Sequence, residues 1–197
     1  MNKEIPTFTV GTQDNLSINV LTPEHFTLVN AYEIRNKQHL ACWEPLRDSH
    51  YYNEAETKAR IMSHYQNYCL GNSLHFVVIN TTNKEMVASC NFTNIVHGVF
   101  QACYLGYSID VRYQGQGIMY DVLSECIAYV YDRYDLHRIM ANYMVENKRS
   151  ERLLQRCGFE KEGLAKSYLK INGHWQDHIL TAKINPKHDK SPRQQIR

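Results

Sequence analysis

The stretch that decides the fold is Tyr107-Ser108-Ile109-Asp110-Val111-Arg112-Tyr113-Gln114-Gly115-Gln116-Gly117-Ile118-Met119. It has the pattern of a strand, a tight turn with two glycines and the first residues of a helix. Backbone N–H groups at the start of a helix attract phosphate, and glycine allows a ligand to approach them closely. The stretch matches neither a Walker A loop nor the dinucleotide pattern G-x-G-x-x-G. From these residues alone it is either an anion-binding turn of another kind or a turn that needs positive φ angles and binds nothing.

Apolar residues at helical spacing predict four helices around this stretch. The first begins at Thr22-Pro23-Glu24, which has the pattern of an N-cap, an N1 proline and a first-turn acid, and it continues to about Lys37. The second runs from about Glu54 to Gly71, and the third begins after Gly117. Asn147 caps a short fourth helix that ends at Gly158.

Alternating apolar and polar residues predict the strands. The last two form a hairpin, because Asn172-Gly173 is typical of a tight turn between strands. Strands interleaved with helices, without an internal repeat or an interdomain linker, indicate an α/β (α+β) single domain over residues 1–185. The predicted strands are about 16–20, 74–80, 86–93, 99–110, 138–144, 160–169 and 174–184.

The composition is that of a globular protein without a membrane segment. The 197 residues, 43% of them hydrophobic, suit one domain with a sizeable core. No apolar run approaches the ~20 residues of a membrane helix, and Met1 to Pro6 lack the apolar stretch of a secretion signal. We therefore expect a cytoplasmic protein that does not contact a membrane.

The cysteines and histidines indicate neither a disulfide framework nor a metal site. The six cysteines have no C-x-x-C spacing, which favours reduced thiols in the core. His174 and His178 are better explained by alternation along a strand than by zinc, because no further ligand lies at suitable spacing.

The charge is nearly balanced, with a net charge of +2 from 22 lysines and arginines and 20 acidic residues. Proteins that bind nucleic acid directly usually have a strongly basic surface, so this balance argues against DNA binding. The exception is residues 186–197, which are rich in lysine and arginine. We expect a flexible basic tail there, with contact to the ribosome as the alternative.

The stretch around the two glycines resembles motif A of the GNAT acetyltransferases, Q/R-x-x-G-x-G/A. Gln114 and Gly117 occupy its first two defined positions, whereas Met119 stands where the family prefers glycine or alanine. The whole chain except its two ends resembles the RimJ type, the ribosomal-protein-alanine N-acetyltransferases, in which methionine occurs at that position. The blocks that carry this resemblance are Trp43-Glu44-Pro45, Cys103-Tyr104-Leu105-Gly106-Tyr107, His137-Arg138-Ile139-Met140-Ala141-Asn142-Tyr143-Met144 and Gly158-Phe159-Glu160-Lys161-Glu162-Gly163.

The resemblance implies the GNAT acyl-CoA N-acyltransferase fold, with a central mixed, mostly antiparallel sheet flanked by helices, and acetyl-CoA as cosubstrate. In that family the strand before the turn, here Tyr107, Ser108 and Ile109, offers backbone hydrogen bonds to the pantetheine arm. Asn147 faces coenzyme A and Ser150 lies near its sulfur. The turn and helix start hold the pyrophosphate, which implies binding by Gln114, Gly115, Gln116, Gly117, Ile118, Met119 and Tyr120.

The chemistry that the resemblance implies is attack of an amine on a thioester. An α-amino group titrates near ~7.7–8.0 and is partly neutral at cellular pH, so we expect direct attack aided by positioning. Ser150 is the candidate donor to the departing thiolate. Related N-terminal acetyltransferases place a glutamate at the position of Asn142 and a tyrosine at that of Leu154, so this acid–base pair does not carry over. Asn142 is instead the candidate that positions a water or the amine.

The acceptor is expected to contact Trp43, Glu44 and Tyr104. Glu44 is the candidate that holds the amine. Tyrosines suit a groove for a peptide N-terminus because their rings are amphipathic. The candidates for lining that groove are Tyr51, Tyr52, Tyr104 and Tyr168.

The function that the resemblance indicates is acetylation of the N-terminal alanine of a small-subunit ribosomal protein. One alternative is the same fold acting on a small amine such as a polyamine, an amino sugar or an antibiotic. No carboxylate cluster that would bind a small cation can be located in the sequence. The other alternative is a non-catalytic module that binds ribosomes or RNA, which the intact Gln114, Gly117, Asn147 and Ser150 disfavour.

Overall fold

The computed structural model describes residues 6–10 and 13–188, and these residues form one nine-stranded sheet with helices on both faces. The helices are α1 (Phe26–Leu40), α2 (Glu54–Leu70), α3 (Ile118–Tyr134) and α4 (Lys148–Arg156). The strands are β1 (Thr7–Val10), β2 (Gln13–Val20), β3 (Leu74–Asn80), β4 (Glu85–Val96), β5 (Ala102–Ile109), β6 (Arg138–Met140), β7 (Tyr143–Met144), β8 (Glu160–Ile171) and β9 (His174–Ile184). The predicted fold class, a mixed but mostly antiparallel sheet flanked by helices, is confirmed.

The sheet is antiparallel except at one place. Strands β1 to β5 pair in chain order, and β5 then pairs in parallel with β6. Strand β9 pairs with β8 along one edge and with both β6 and β7 along the other. The parallel pair of β5 and β6 at the centre of the sheet therefore joins strands β1 to β5 to the strands from β6 onward.

Strands β5 and β6 separate after only three paired positions. The last pair is Tyr104 with Met140, and within the described chain Leu105–Ile109 pair with β4 but with no strand on their other side. Strand β7 pairs only with β9. A gap therefore opens at the carboxyl ends of the parallel strands, which is where open α/β sheets bind ligands. We call this gap the fork.

The single strand predicted over 138–144 is in fact interrupted. The backbone N–H of Ala141 donates to the carbonyl of Thr181 (3.0 Å), but the N–H of Thr181 donates to the side-chain Oδ1 of Asn142 (3.2 Å). A side-chain oxygen thus replaces a main-chain acceptor in the ladder and separates β6 from β7. Strand β1 was not predicted.

The two faces of the sheet bury different cores. Helix α3 lays its apolar stripe on one face, where Val122, Leu123, Cys126 and Val130 have no exposed surface. On the other face, α1 and α2 cover a smaller cluster that includes Ile61. Apolar burial of this kind contributes about 25 cal/mol per Å². The larger core under α3 therefore contributes more to the stability of the fold than the smaller cluster under α1 and α2. The α1–α2 face also leaves room for a cavity.

The carboxylate of Asp110, fully buried at the end of β5, joins α1 to the turn that follows β5. It accepts hydrogen bonds from Arg35 Nε (2.6 Å) and Asn36 Nδ2 (3.2 Å) of α1, and from the backbone N–H of Arg112 (3.0 Å). Burial alone would raise the pKa of Asp110, but the hydrogen bonds from Arg112, Arg35 and Asn36 hold the pKa well below its ordinary value.

Little of the predicted basic tail is described. Residues 186–188 form a turn in which Lys187 Nζ lies 2.9 Å from Asp132 Oδ1, and residues 189–197 lie outside the described residues. No described helix is long and apolar enough to cross a membrane.

We expect Asp110→Ala to lower the free energy of unfolding by about 3 kcal/mol, because it leaves the partly buried Arg35 without its counter-charge. The measurement is urea unfolding of both proteins. The control is Asp132→Ala, whose carboxylate pairs with Lys187 but is 78% exposed, and which should change stability by less than about 1 kcal/mol.

Acid adds a second check on the same variant. A depressed folded pKa stabilises the protein above the ordinary value of aspartate and loses that contribution as the pH falls below about 4. Wild type should therefore lose more stability than Asp110→Ala on acidification. Equal losses would show that Asp110 does not hold α1 through its charge.

Candidate active site

The turn after β5 needs its two glycines. Gly115 has φ 75° and Gly117, the N-cap of α3, has φ 81°, a left-handed conformation that favours glycine. A Cβ added to either glycine would meet no atom within 4 Å, so the space in front of the turn is open. A ligand can therefore approach the backbone closely here.

The turn presents a row of free donors at the start of α3. Within the described chain, no acceptor pairs with the backbone N–H groups of residues 115–119, and the first intrahelical bond runs from Tyr120 N to Gly117 O (2.9 Å). These N–H groups coincide with the positive end of the helix dipole. The arrangement suits a pyrophosphate, and it contains Gly115, Gln116, Gly117, Ile118 and Met119, the residues predicted to bind one.

Met119 does not obstruct the turn. Its side chain is 7% exposed and packs in the core beneath α3, as does that of Ile118. The departure from the motif is therefore accommodated inside the protein and not on the ligand side. The ring of Tyr120 lies under the guanidinium of Arg156, with 3.8 Å from Cζ to the ring centroid.

The side chain of Gln114 links two helices across the turn. Its Nε2 lies 2.8 Å from Nε2 of His39 on α1, and its Oε1 accepts a hydrogen bond from Arg149 Nη1 on α4. Gln114 is thus beside the predicted pyrophosphate site, but its side chain is already bonded to protein.

Tyr107 and Ser150 meet across the fork. The Tyr107 hydroxyl on β5 lies 2.5 Å from Ser150 Oγ in the first turn of α4. Asn147 Oδ1 caps that helix by accepting from the Ser150 N–H (3.1 Å). Burial raises the pKa of Tyr107, so its hydroxyl remains protonated. The structure brings together three of the predicted residues, and the unpaired edge of β5 beside them fits an extended amide chain such as pantetheine.

The even-numbered residues of β5 face the other side of the sheet. Ser108 Oγ lies 2.8 Å from both Tyr32 OH and Ser89 Oγ, while Ile109 packs against the core on the α3 side. Only the backbone of Ser108 is therefore available at the fork.

A cavity of about 450 Å³ lies on that opposite face, between the sheet, α1, α2 and residues 44–52. Its volume is typical of ligand pockets. Gly106 and Ser108 bring it to the edge of the fork. Its polar and charged lining residues include Glu33, Lys37, Glu44, Arg47, Arg60, His64, His75, Ser89, Asn91 and Thr93.

Glu44 is half-buried in this cavity and not a solvated loop residue. Burial raises its pKa, and Arg47, whose Nε lies 3.8 Å from Glu44 Oε2, acts in the opposite direction. Nearby Glu33 accepts from Arg60 Nη2 at 2.5 Å and interacts with Glu44 as a like charge. The two carboxylates share the cavity with three cations, the third being Lys37.

Two histidines that line the cavity are uncharged. His64 and His75 stack with their ring centroids 4.0 Å apart. Burial lowers the pKa of His75 to about 4 and also lowers that of His64, so both imidazoles are neutral near pH 7.

The predicted acceptor residues divide into three groups. Glu44, Tyr51 and Tyr52 line the cavity. Trp43 is 38% exposed and is not among the lining residues. Tyr104, Tyr168 and Asn142 form a separate cluster at the apex of the fork, where Asn142 Nδ2 donates to Tyr168 OH (3.2 Å).

Several cavity residues were missed from the sequence. Ser89, Asn91 and Thr93 recur at every second position of β4, a polar stripe that indicates a strand with one solvated face. That signal was available. The sequence contains no such signal for Glu33 and Arg60, because helical spacing does not reveal that two helices place their charged groups 2.5 Å apart. No group of three or more described His, Cys, Asp or Glu residues is arranged to hold a metal ion.

Known proteins resemble this chain along most of its length. A family model described as "Acetyltransferase (GNAT) domain" matches residues 15–160. The [Ribosomal protein uS5]-alanine N-acetyltransferase of Escherichia coli K12 is 41% identical over 175 residues, which cover 89% of this chain and 90% of that protein.

Solved structures agree. The ribosomal-protein-S5-alanine acetyltransferase from Vibrio fischeri has a TM-score of 0.88 and 34% identity, covering 95% of this chain and 100% of that one. Mycobacterium smegmatis RimJ in complex with CoA-disulfide has a TM-score of 0.81 and 25% identity, covering 89% and 85%.

We expect Gly117→Ala to weaken the binding of coenzyme A at least ~10-fold, which corresponds to about 1.4 kcal/mol. The added methyl group would enter the open space in front of the N–H groups, at a φ that L-residues rarely adopt. Isothermal titration calorimetry measures the affinity. The matched control is Gly71→Ala, which has the same φ of 81° and equally open surroundings at the end of α2. Equal loss of affinity in the two variants would contradict a ligand contact at Gly117.

Proposed function

Because the chain belongs to the GNAT acetyltransferase family and is an N-acetyltransferase, we propose that it acetylates the N-terminal alanine of a small-subunit ribosomal protein in the cytoplasm. The observation that carries the proposal is the likeness to the uS5-alanine enzyme of E. coli, which is 41% identical over 89% of this chain.

Enzymes of this family use acetyl-CoA, which supplies a thioester carbonyl to the acceptor amine. The free N–H groups of residues 115–119 would hold the pyrophosphate, and the unpaired edge of β5 would hold the pantetheine arm. Ser150 would donate a hydrogen bond toward the departing sulfur, and Tyr107 keeps its hydroxyl in place. Free thiolates leave readily because a thiol titrates near ~8.5, so a weak donor suffices.

The cavity would take the acceptor. Burial raises the pKa of Glu44 while Arg47 acts in the opposite direction, and Glu44 is the candidate that holds the N-terminal ammonium before it loses its proton. The two neutral histidines of the cavity and the Tyr51 and Tyr52 rings would contact uncharged parts of the peptide.

The cavity charges disfavour the alternative of a polyamine acceptor. A polycation needs surplus negative charge, whereas Glu33 and Glu44 are already accompanied by Arg60 and Arg47, and Lys37 adds a further positive charge. The free donors at the glycine turn likewise argue against a module that has lost its cofactor site.

The experiment that tests the proposal is an acetylation assay with purified protein and acetyl-CoA. The acceptors are alanine-first peptides that copy ribosomal N-termini, the same peptides blocked at the N-terminus, and a panel of small amines. We expect thiol release and a mass gain of one acetyl group only with free alanine N-termini. Turnover of small amines alone would replace the substrate proposal while keeping the enzyme class.

We expect Ser150→Ala to lower kcat about 10- to 100-fold and to leave KM for the acceptor nearly unchanged, because the lost hydrogen bond forms as charge develops on sulfur. Steady-state kinetics with the preferred peptide measure both constants. Ser63→Ala, an exposed position on α2, is the control and should match wild type. An unchanged kcat in Ser150→Ala would remove this serine from the chemical step.

A further inference from the structure

The apex of the fork contains three polar side chains that come from different strands. Tyr104 is the last residue of β5 that pairs with β6, and Asn142 follows β6 after one residue. Tyr168 reaches the same point from β8 and takes a hydrogen bond from Asn142. All three are partly exposed, so a substrate can reach them.

The orientation of the Asn142 amide is determined by its neighbours. Its oxygen accepts from the backbone N–H of Thr181 (3.2 Å), a group that can only donate. Its nitrogen must therefore point at Tyr168 and donate to the phenolic oxygen (3.2 Å). This assignment leaves no freedom for an amide flip.

The Tyr168 hydroxyl is consequently polarised in one direction. One lone pair accepts from Asn142, so its own proton must point elsewhere. One lone pair of the Tyr168 oxygen remains free. Burial raises the pKa of Tyr168, and Tyr104 raises it further, so the phenol is neutral.

A bulge in β8 places Tyr168 at the fork. The β8–β9 register shifts between Ala165 and Leu169, and Ser167 has φ 47°, which is uncommon for a residue other than glycine. Asp177 Oδ1 on β9 holds the bulge by accepting from Ser167 N–H (2.7 Å), and the Tyr168 ring packs 5.5 Å from that of His178. Bulges re-aim side chains next to active sites, and strain of this kind marks a functional position.

We propose that Tyr168 is the residue that positions the acceptor amine and receives its proton, while its own proton passes to water. The inference rests on the proposed function. As the amine nitrogen bonds to the acetyl carbon and the carbon–sulfur bond breaks, an N–H proton moves to the free lone pair of Tyr168. The Tyr168 proton moves at the same time to solvent, and the departing sulfur gains a proton from solvent.

Tyr168 thus takes the proton that a carboxylate base at the position of Asn142 would otherwise take. Asn142 acts through Tyr168 and does not itself receive the proton, because both ends of its amide are occupied.

The test compares Tyr168→Phe with wild type, using the acceptor that wild type acetylates best. We expect Tyr168→Phe to lower kcat/KM about 100-fold near pH 7, a typical loss for a proton-transfer group. The deficit should shrink above about pH 8, where hydroxide takes over and the amine is neutral.

The control is Tyr65→Phe on α2, outside the site, which should behave as wild type. The affinity for coenzyme A and the urea midpoint of Tyr168→Phe should be unchanged. An unaltered kcat/KM, or a deficit that does not change with pH, would overturn the proposal. Failure of the substrate proposal is separate: if wild type acetylates a small amine and no peptide, the same ratios are measured with that amine.

Discussion

The buried carboxylate of Asp110 is the interaction on which both halves of the site depend. It lies where β5 ends and the glycine turn begins, and it binds Arg35 and Asn36 of α1 at the same time. The turn needs this anchor because its own backbone N–H groups are left free for a ligand. The cavity needs it because the same helix supplies Tyr32 and Glu33 to the cavity wall. A single ionised group thereby couples the glycine turn, where we propose that the acyl donor binds, to the cavity, where we propose that the acceptor binds.

The fork follows from a second constraint on the central strands. Parallel pairing between β5 and β6 stops at Tyr104 and Met140, and beyond that point each segment pairs with a different neighbour. Strand β5 remains paired with β4. The chain after β6 contacts β9, where the Asn142 side chain accepts a hydrogen bond from the backbone of that strand. The space between them receives the N-terminus of α4, so that Ser150 faces Tyr107 across the opening. The bulged strand β8 then completes the apex.

Local signals in the sequence were sufficient for much of this architecture. Helix α2 ends at Gly71 as predicted, because glycine adopts the left-handed C-cap at φ 81°. The limits of β3 also agree, since its apolar run is bounded by turn residues. What escaped prediction depends on contacts between distant segments. The alternation from Arg138 to Met144 does not show that Asn142 interrupts a strand by bonding to Thr181. Nor does an isolated Trp-Glu-Pro block show that Glu44 enters a cavity beside Arg47, when a loop carboxylate is usually solvated.

Strand β5 also acts as a partition. Tyr107 points to the proposed donor side and Gly106 and Ser108 to the proposed acceptor side, because neighbouring residues of a strand face opposite ways. If the cavity takes the acceptor as proposed, replacements at 106 or 108 alter which amine is accepted while the fork keeps its shape. This separation offers a route by which one scaffold diversifies: new acceptor specificities can accumulate on one surface of a strand whose other surface continues to serve the same donor.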